Sequence, residues 1–159
     1  MRFCFFSVGA PRPDDWSKQW EFPDPLGRQQ MSELPFSEIV LIDRLVKVGE
    51  LHTYLSDVAL SDIRDPLTPT PKTADGKGRS PQRLVVDVVV RRGGERRRVI
   101  AQGRDIYAFT APLVCEAVER LLNGGFHDVG ADRPGAIFDA REFVSALTPD
   151  HLTFDIITV

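Results

Sequence analysis

The chain reads as an α+β protein, a mostly antiparallel or mixed β-sheet with a few helices packed on one face. Three observations lead there. Residues 84–90 form a near-continuous β-branched run, answered by Val99-Ile100-Ala101 across the pair Gly93-Gly94. Two such runs about paired glycines make a β-hairpin, because glycine accepts the positive φ of the tight turns that match strand twist. Residues 113–122 repeat apolar side chains at i, i+4 and i+8, from Leu113 through Ala117 to Leu121, which draws the apolar face of a helix. The segments 2–8 and 152–159 are rich in aromatic and β-branched residues and read as a first and a last strand.

Between these anchors the elements follow in order. Residues 10–16, with two prolines and two acids, form an irregular loop. Residues 20–22, the turn Pro23-Asp24-Pro25-Leu26-Gly27 and residues 28–34 give strand, turn, strand, with Gly27 free to take a positive φ. The apolar spacing over 36–45 fits a helix and a strand equally, and both stay open. Residues 46–55 alternate and predict a strand. Residues 64–82, with four prolines and two glycines, are the one long flexible loop. The long helix begins near Thr110, which can cap it, with Pro112 in the first turn. Glu116 and Arg120 stand four apart on its polar side, and Asn123-Gly124-Gly125 stops it. Asp139 and Glu142 announce a shorter helix ending before Pro149.

The 159 residues suit a single domain, 1–159, able to bury a core without staples. Hydrophobic residues make up 42% and charged residues 27%, which excludes a disordered or fibrous chain. Twenty basic and twenty-three acidic residues give a net charge of -3, with no general pull toward nucleic acid or an anionic membrane. No apolar run approaches the roughly 18–20 residues of a membrane span. The start reads as a strand and not as a signal peptide, because Pro11, Arg12, Pro13, Asp14 and Asp15 stand where a cleavage site belongs. Cys4 and Cys115 read as small core hydrophobes, and two cysteines with no metal spacing fit a reducing cytoplasm.

Chemistry-bearing motifs are few. There is no GxGxxG, Walker loop, HExxH or GxSxG. His52, His127 and His151 lack metal-ligand spacing, and His52, on a strand, is the one with a possible acid–base role. The five arginines about Gly93-Gly94 read as a solvated hairpin tip that discourages edge pairing. Residues 103–112 (GRDIYAFTAP) are denser, because they join a strand end to a helix start, where an anion can be held. Arg104 and Thr110 are the candidate substrate-binding residues there. Tyr107, Asp105 and His52 are the candidate catalytic ones. The plainer reading pairs Arg104 with Asp105 at the surface and packs Tyr107.

Residues 103–112 with the helix after them resemble the closing part of saccharopine dehydrogenase-like oxidoreductases, a group that includes trans-acting enoyl reductases. Residues 130–139 (GADRPGAIFD) resemble the family's G-x-x-x-P-G-x-x-F end, and Asp24-Pro25-Leu26-Gly27 resembles a D-P-x-G turn of the same second domain. The likeness spans residues 20–159. It implies a substrate-binding and dimerisation domain of an NAD(P)-dependent reductase. The glycine fingerprint of the family's Rossmann half is missing from this chain, so the resemblance places no cofactor here and NAD(P) belongs to the full-length protein. The partners implied are a small-molecule substrate and either a homo-oligomer or a separate Rossmann-domain partner, met first at the 113–122 helix. Two other readings stand beside it. One is a self-sufficient small enzyme with a pocket lined by Arg104, Asp105 and Tyr107. The other is a non-catalytic oligomerisation module.

Overall fold

A computed structural model describes residues 2–8, 17–124 and 132–158, with 2–8, 17 and 158 described by backbone alone. The α+β architecture is as the residue pattern predicts. Seven strands form one mixed sheet: β1 (Arg2–Val8), β2 (Ser17–Glu21), β3 (Arg28–Glu33), β4 (His52–Ser56), β5 (Arg83–Arg92), β6 (Glu95–Arg104) and β7 (Leu152–Thr158). Their order is β2-β3-β4-β1-β5-β6-β7, antiparallel throughout except that β1 runs parallel to β5. Among the described residues five helices accompany them: α1 (Glu38–Leu45), α2 (Asp57–Arg64), α3 (Ile106–Asn123), α4 (Pro134–Ile137) and α5 (Ala140–Ala146).

The sheet is strongly rolled. Strands β2 and β5 stand four places apart, roughly 19 Å in a flat sheet. Yet Trp20 Nε1 on β2 donates to Asp87 Oδ2 on β5 over 2.8 Å. The concave face therefore closes on itself. It buries Trp20, Met31, Tyr54, Val85, Val89 and Ile100, with Phe22 and Leu26 from the β2–β3 turn. That turn takes the expected form: Gly27 has φ 56° and Phe22 N–H donates to its carbonyl. Burial of these apolar side chains removes water-exposed surface worth about 1.5–3 kcal/mol for each large one.

The other face carries α2, α3 and α5. Phe143 and Leu147 pack with Leu152 of β7, joined by Phe109, Leu113 and Ala117 of α3. Gly103 on β6 points the same way, since a Cβ there meets the Phe109 ring at 3.8 Å. Helix α2 lies on this face too, its Asp57 accepting from Ser32 on β3 over 2.7 Å. The β5–β6 hairpin turns on Gly93 (φ 55°) and Gly94 (φ 90°), the pair singled out in the residue pattern. The α5 cap holds, because Asp139 accepts from Glu142 N–H, and Arg120 Nε meets Glu116 Oε1 at 2.6 Å on α3.

Several expectations are corrected. Residues 36–45 resolve in favour of a helix, α1. The strand expected over 46–55 is confined to 52–56, because Val46 ends α1 with its N–H on Ile42 O and exposed Lys47 and Gly49 follow. Helices α2 and α4 were not foreseen. The signal for α2 was Ser56, whose hydroxyl caps it at Ala59 N–H. Helix α3 begins at Ile106, not near Thr110: Asp105 is its cap, and Pro112 lies inside it. Thr110 instead donates to Ile106 O, a bond within the helix. Cys115 is exposed, not a core residue, since it falls outside the packed stripe of α3. Residues 10–16, Gly125, His127, residues 130–131 and the Cys4 side chain lie outside the described residues.

Candidate functional site

The junction predicted over residues 103–112 is a built corner. Strand β6 ends at Arg104, Asp105 turns the chain with φ 60°, and α3 starts at once. A non-glycine residue rarely holds a positive φ, and here the surroundings impose it. Asp105 is buried, and its carboxylate accepts from Ser80 N–H at 2.6 Å, Tyr107 N–H at 3.0 Å and Ala108 N–H at 3.3 Å. Its own N–H donates to Gln82 O. One side chain thus caps α3 and ties down the end of the 65–82 loop.

That loop has no regular structure, but its second half is fixed. Asp75 accepts from Lys77 N–H and Arg79 N–H and meets Arg79 Nε at 2.9 Å. Arg104 reaches back to the same segment, donating to Ser80 O and standing 3.4 Å from Asp75 Oδ2. The backbone N–H of Ser80, first, holds the Asp105 carboxyl below the ordinary 3.8, and the backbone N–H of Arg79 does the same for Asp75. Asp105 is therefore an ionised acceptor with its oxygens engaged. This is the chemistry of an anchor.

A cleft of about 390 Å³ opens between this loop and α3. Asp105 and Tyr107 line it, together with Lys72 and Lys77. Tyr107 stands at its mouth, 74% exposed. Arg104 is turned into the loop, and Thr110 is exposed one helical turn further on. So the structure brings Arg104, Asp105, Tyr107 and Thr110 to one corner. His52 is elsewhere. Its register partner chain, Ser7 then Val89, is six residues along β5 from Arg83, the partner of Arg104. That is roughly 20 Å.

His52 has its own surroundings. Its Nδ1 lies 2.8 Å from Glu33 Oε1, and its Nε2 lies 3.9 Å from Glu50 Oε2, while the ring stacks on Tyr54. Glu50 Oε2 is buried and has no hydrogen-bond partner among the described residues.

Residue reasoning missed a third group inside the roll. Asp87, fully buried, takes Arg98 through both carboxylate oxygens at 2.5–3.1 Å and Trp20 Nε1 at 2.8 Å. Arg98 also donates to Glu21 O and stands 5.5 Å over the Trp20 ring. A lone Asp amid six apolar residues at 84–90 was the available signal, because a buried carboxylate demands a partner. Arg98 is therefore not part of the solvated hairpin tip, since it turns inward to Asp87.

Among the described residues no three His, Cys, Asp or Glu side chains are grouped to hold a metal, and no helix is long and apolar enough to cross a membrane. Compared with known proteins, the chain matches no family model, no curated protein and no solved structure.

Proposed function

We propose that this chain is the substrate-binding and dimerisation part of a saccharopine dehydrogenase-like NAD(P)-dependent reductase, with the nucleotide bound by another domain or polypeptide. The residue resemblance suggests the family, and one feature of α3 carries the rest. The helix has two apolar stripes. Phe109, Leu113 and Ala117 pack on the sheet and α5, while Val114, Val118, Leu121 and Leu122 face outward, Leu122 being 80% exposed. A helix covering only its own sheet needs one stripe, and contiguous bare apolar surface marks a contact with something else.

Among the described residues, the two junctions where a strand runs straight into a helix, β6 into α3 and β4 into α2, do not fit a dinucleotide pyrophosphate. Its usual place is a free helix N-terminus. At α3 the Asp105 carboxylate already occupies the Tyr107 and Ala108 N–H groups. At α2 the Ser56 hydroxyl takes Ala59 N–H. Under this reading the chain's own residues contribute a substrate-side surface, and the hydride transfer belongs with the nucleotide-binding part. A calorimetric titration of the isolated chain with NADPH tests this: no binding at micromolar concentration is the expected outcome, and a micromolar Kd removes the reading.

One observation favours the self-sufficient enzyme as a second reading, the cleft that gathers Asp105 and Tyr107. Against it, the Asp105 oxygens are already engaged, Arg104 does not line the cleft, and His52 is roughly 20 Å away along the sheet.

A further inference from the structure

We propose that the cleft between the 65–82 loop and the start of α3 binds a small molecule carrying an oxyanion, a phosphate ester or a carboxylate, through Lys72 and Lys77. The charge balance around the narrower cleft favours an anion. Four cations, Lys72, Lys77, Arg79 and Arg104, meet two carboxylates, Asp75 and Asp105. Asp75 is taken by Arg79 and Arg104. Asp105 is taken by three backbone N–H groups. Lys72 and Lys77 make no ion pair among the described residues, so the cleft they line carries two uncompensated ammonium groups. The α3 N-terminus contributes nothing to the site, because Asp105 already occupies it.

Shape points the same way. The cleft holds about 390 Å³, and past Pro71, Lys72 and Thr73 it opens into a wider one of about 640 Å³ whose wall carries the carboxylates Asp62 and Asp65, so the oxyanion belongs in the narrower part. These are the dimensions of a metabolite, not of a bare ion. Pro71, Ala108 and the exposed Tyr107 ring supply apolar wall, and the Tyr107 hydroxyl supplies a donor at the mouth. The corner is also ordered. The N–H groups of Lys77, Gly78, Arg79 and Ser80 are all bonded within the corner, so Lys77 projects from a backbone that is already held, and Ala74 N–H on Arg79 O anchors the chain two residues past Lys72. A ligand meeting a preformed wall loses less affinity to ordering. Residue reasoning gave the anion to Arg104; the geometry gives it to two lysines of the long loop.

The proposal concerns the isolated chain and does not depend on the reductase reading. It is tested by titrating the ¹⁵N-labelled chain at low salt with inorganic phosphate and, separately, with succinate. Saturable amide shifts confined to residues 71–80 and 105–108 are expected with at least one of them, and whichever binds more tightly assigns the head group. Lys72→Gln/Lys77→Gln should raise Kd at least fivefold with an unchanged melting temperature, and Tyr107→Phe about twofold. Arg91→Gln/Arg96→Gln removes the same charge roughly 25 Å along the strands and should leave Kd within twofold. Shifts that do not saturate, or equal losses in the two double variants, overturn the proposal. Micromolar NADPH binding that survives Lys72→Gln/Lys77→Gln overturns the reductase reading and leaves the cleft standing.

Discussion

Single residues decide how the corner at the end of β6 is built, and Asp105 decides most. Its positive φ, its cap on α3 and its grip on Ser80 all depend on one carboxylate. Asp105→Ala leaves three N–H donors without their acceptor and forces an L side chain to hold φ 60° without a compensating bond. A melting temperature lower by roughly 5 °C is expected in a calorimetric scan. The ionised form is favoured in the fold, so the sign with pH follows. A carboxyl whose folded pKa lies below its unfolded value stabilises fully above that unfolded value, 3.8, and loses the contribution as pH falls through the folded pKa. Asp75 adds to the same window. Between pH 4 and 2 the melting temperature of the wild type should therefore fall more steeply than that of Asp105→Asn. Parallel curves count against this account. Asp105 was legible as a candidate from its place in GRDIYAFTAP, but its task was not. Whether a carboxylate is a base or an anchor depends on which donors face it, and Ser80 arrives from 25 residues away.

Secondary-structure elements were legible where their signals are local. The Gly93-Gly94 hairpin, the Asp24–Gly27 turn and the Asp139 cap depend on neighbours within a few residues. The start of α3 was misplaced by one turn because two cap residues compete there. Asp105 reaches two N–H groups, and that overrides the preference for proline in a first turn. What closes the sheet is not local at all. Trp20 and Arg98 meet on Asp87 across 67 and 11 residues, and they draw the edge hairpin of β2 and β3 over the concave face. Arg98→Met should leave a buried, unpaired carboxylate and cost about 3–5 kcal/mol in urea unfolding. Asp87→Leu with Arg98→Met should cost much less than the sum of the two single changes, since no charge is then stranded. Additive losses would mean that the ion pair does not close the roll.

For the whole molecule, the issue is how much apolar surface the chain leaves uncovered. Besides the outer stripe of α3, Val40, Leu41, Leu45 and Val46 at α1 are 42–53% exposed. A chain built to stand alone covers such clusters or breaks them with charge. Under the proposed function the α3 stripe is the place where a second copy or a nucleotide-binding partner sits. Val118→Glu/Leu122→Glu should turn a concentration-dependent dimer, followed by light scattering, into a monomer while the melting temperature stays within about 2 °C. Wild-type chain that is strictly monomeric at high concentration removes the homodimer. A large loss of stability in the variant would show that the stripe belongs to the chain's own core.

The amino-acid sequence by itself determined the α+β class, the hairpin, the long helix, the short capped helix and the terminal strand. Each follows from periodicity, turn chemistry or a cap acting over a few residues. Only the tertiary structure decided that the sheet rolls, that Asp87 and Arg98 meet inside it, that Arg104 faces a loop and that Lys72 and Lys77 face a cleft. Those outcomes depend on contacts between residues far apart in the chain, and a one-dimensional pattern carries no distance between them.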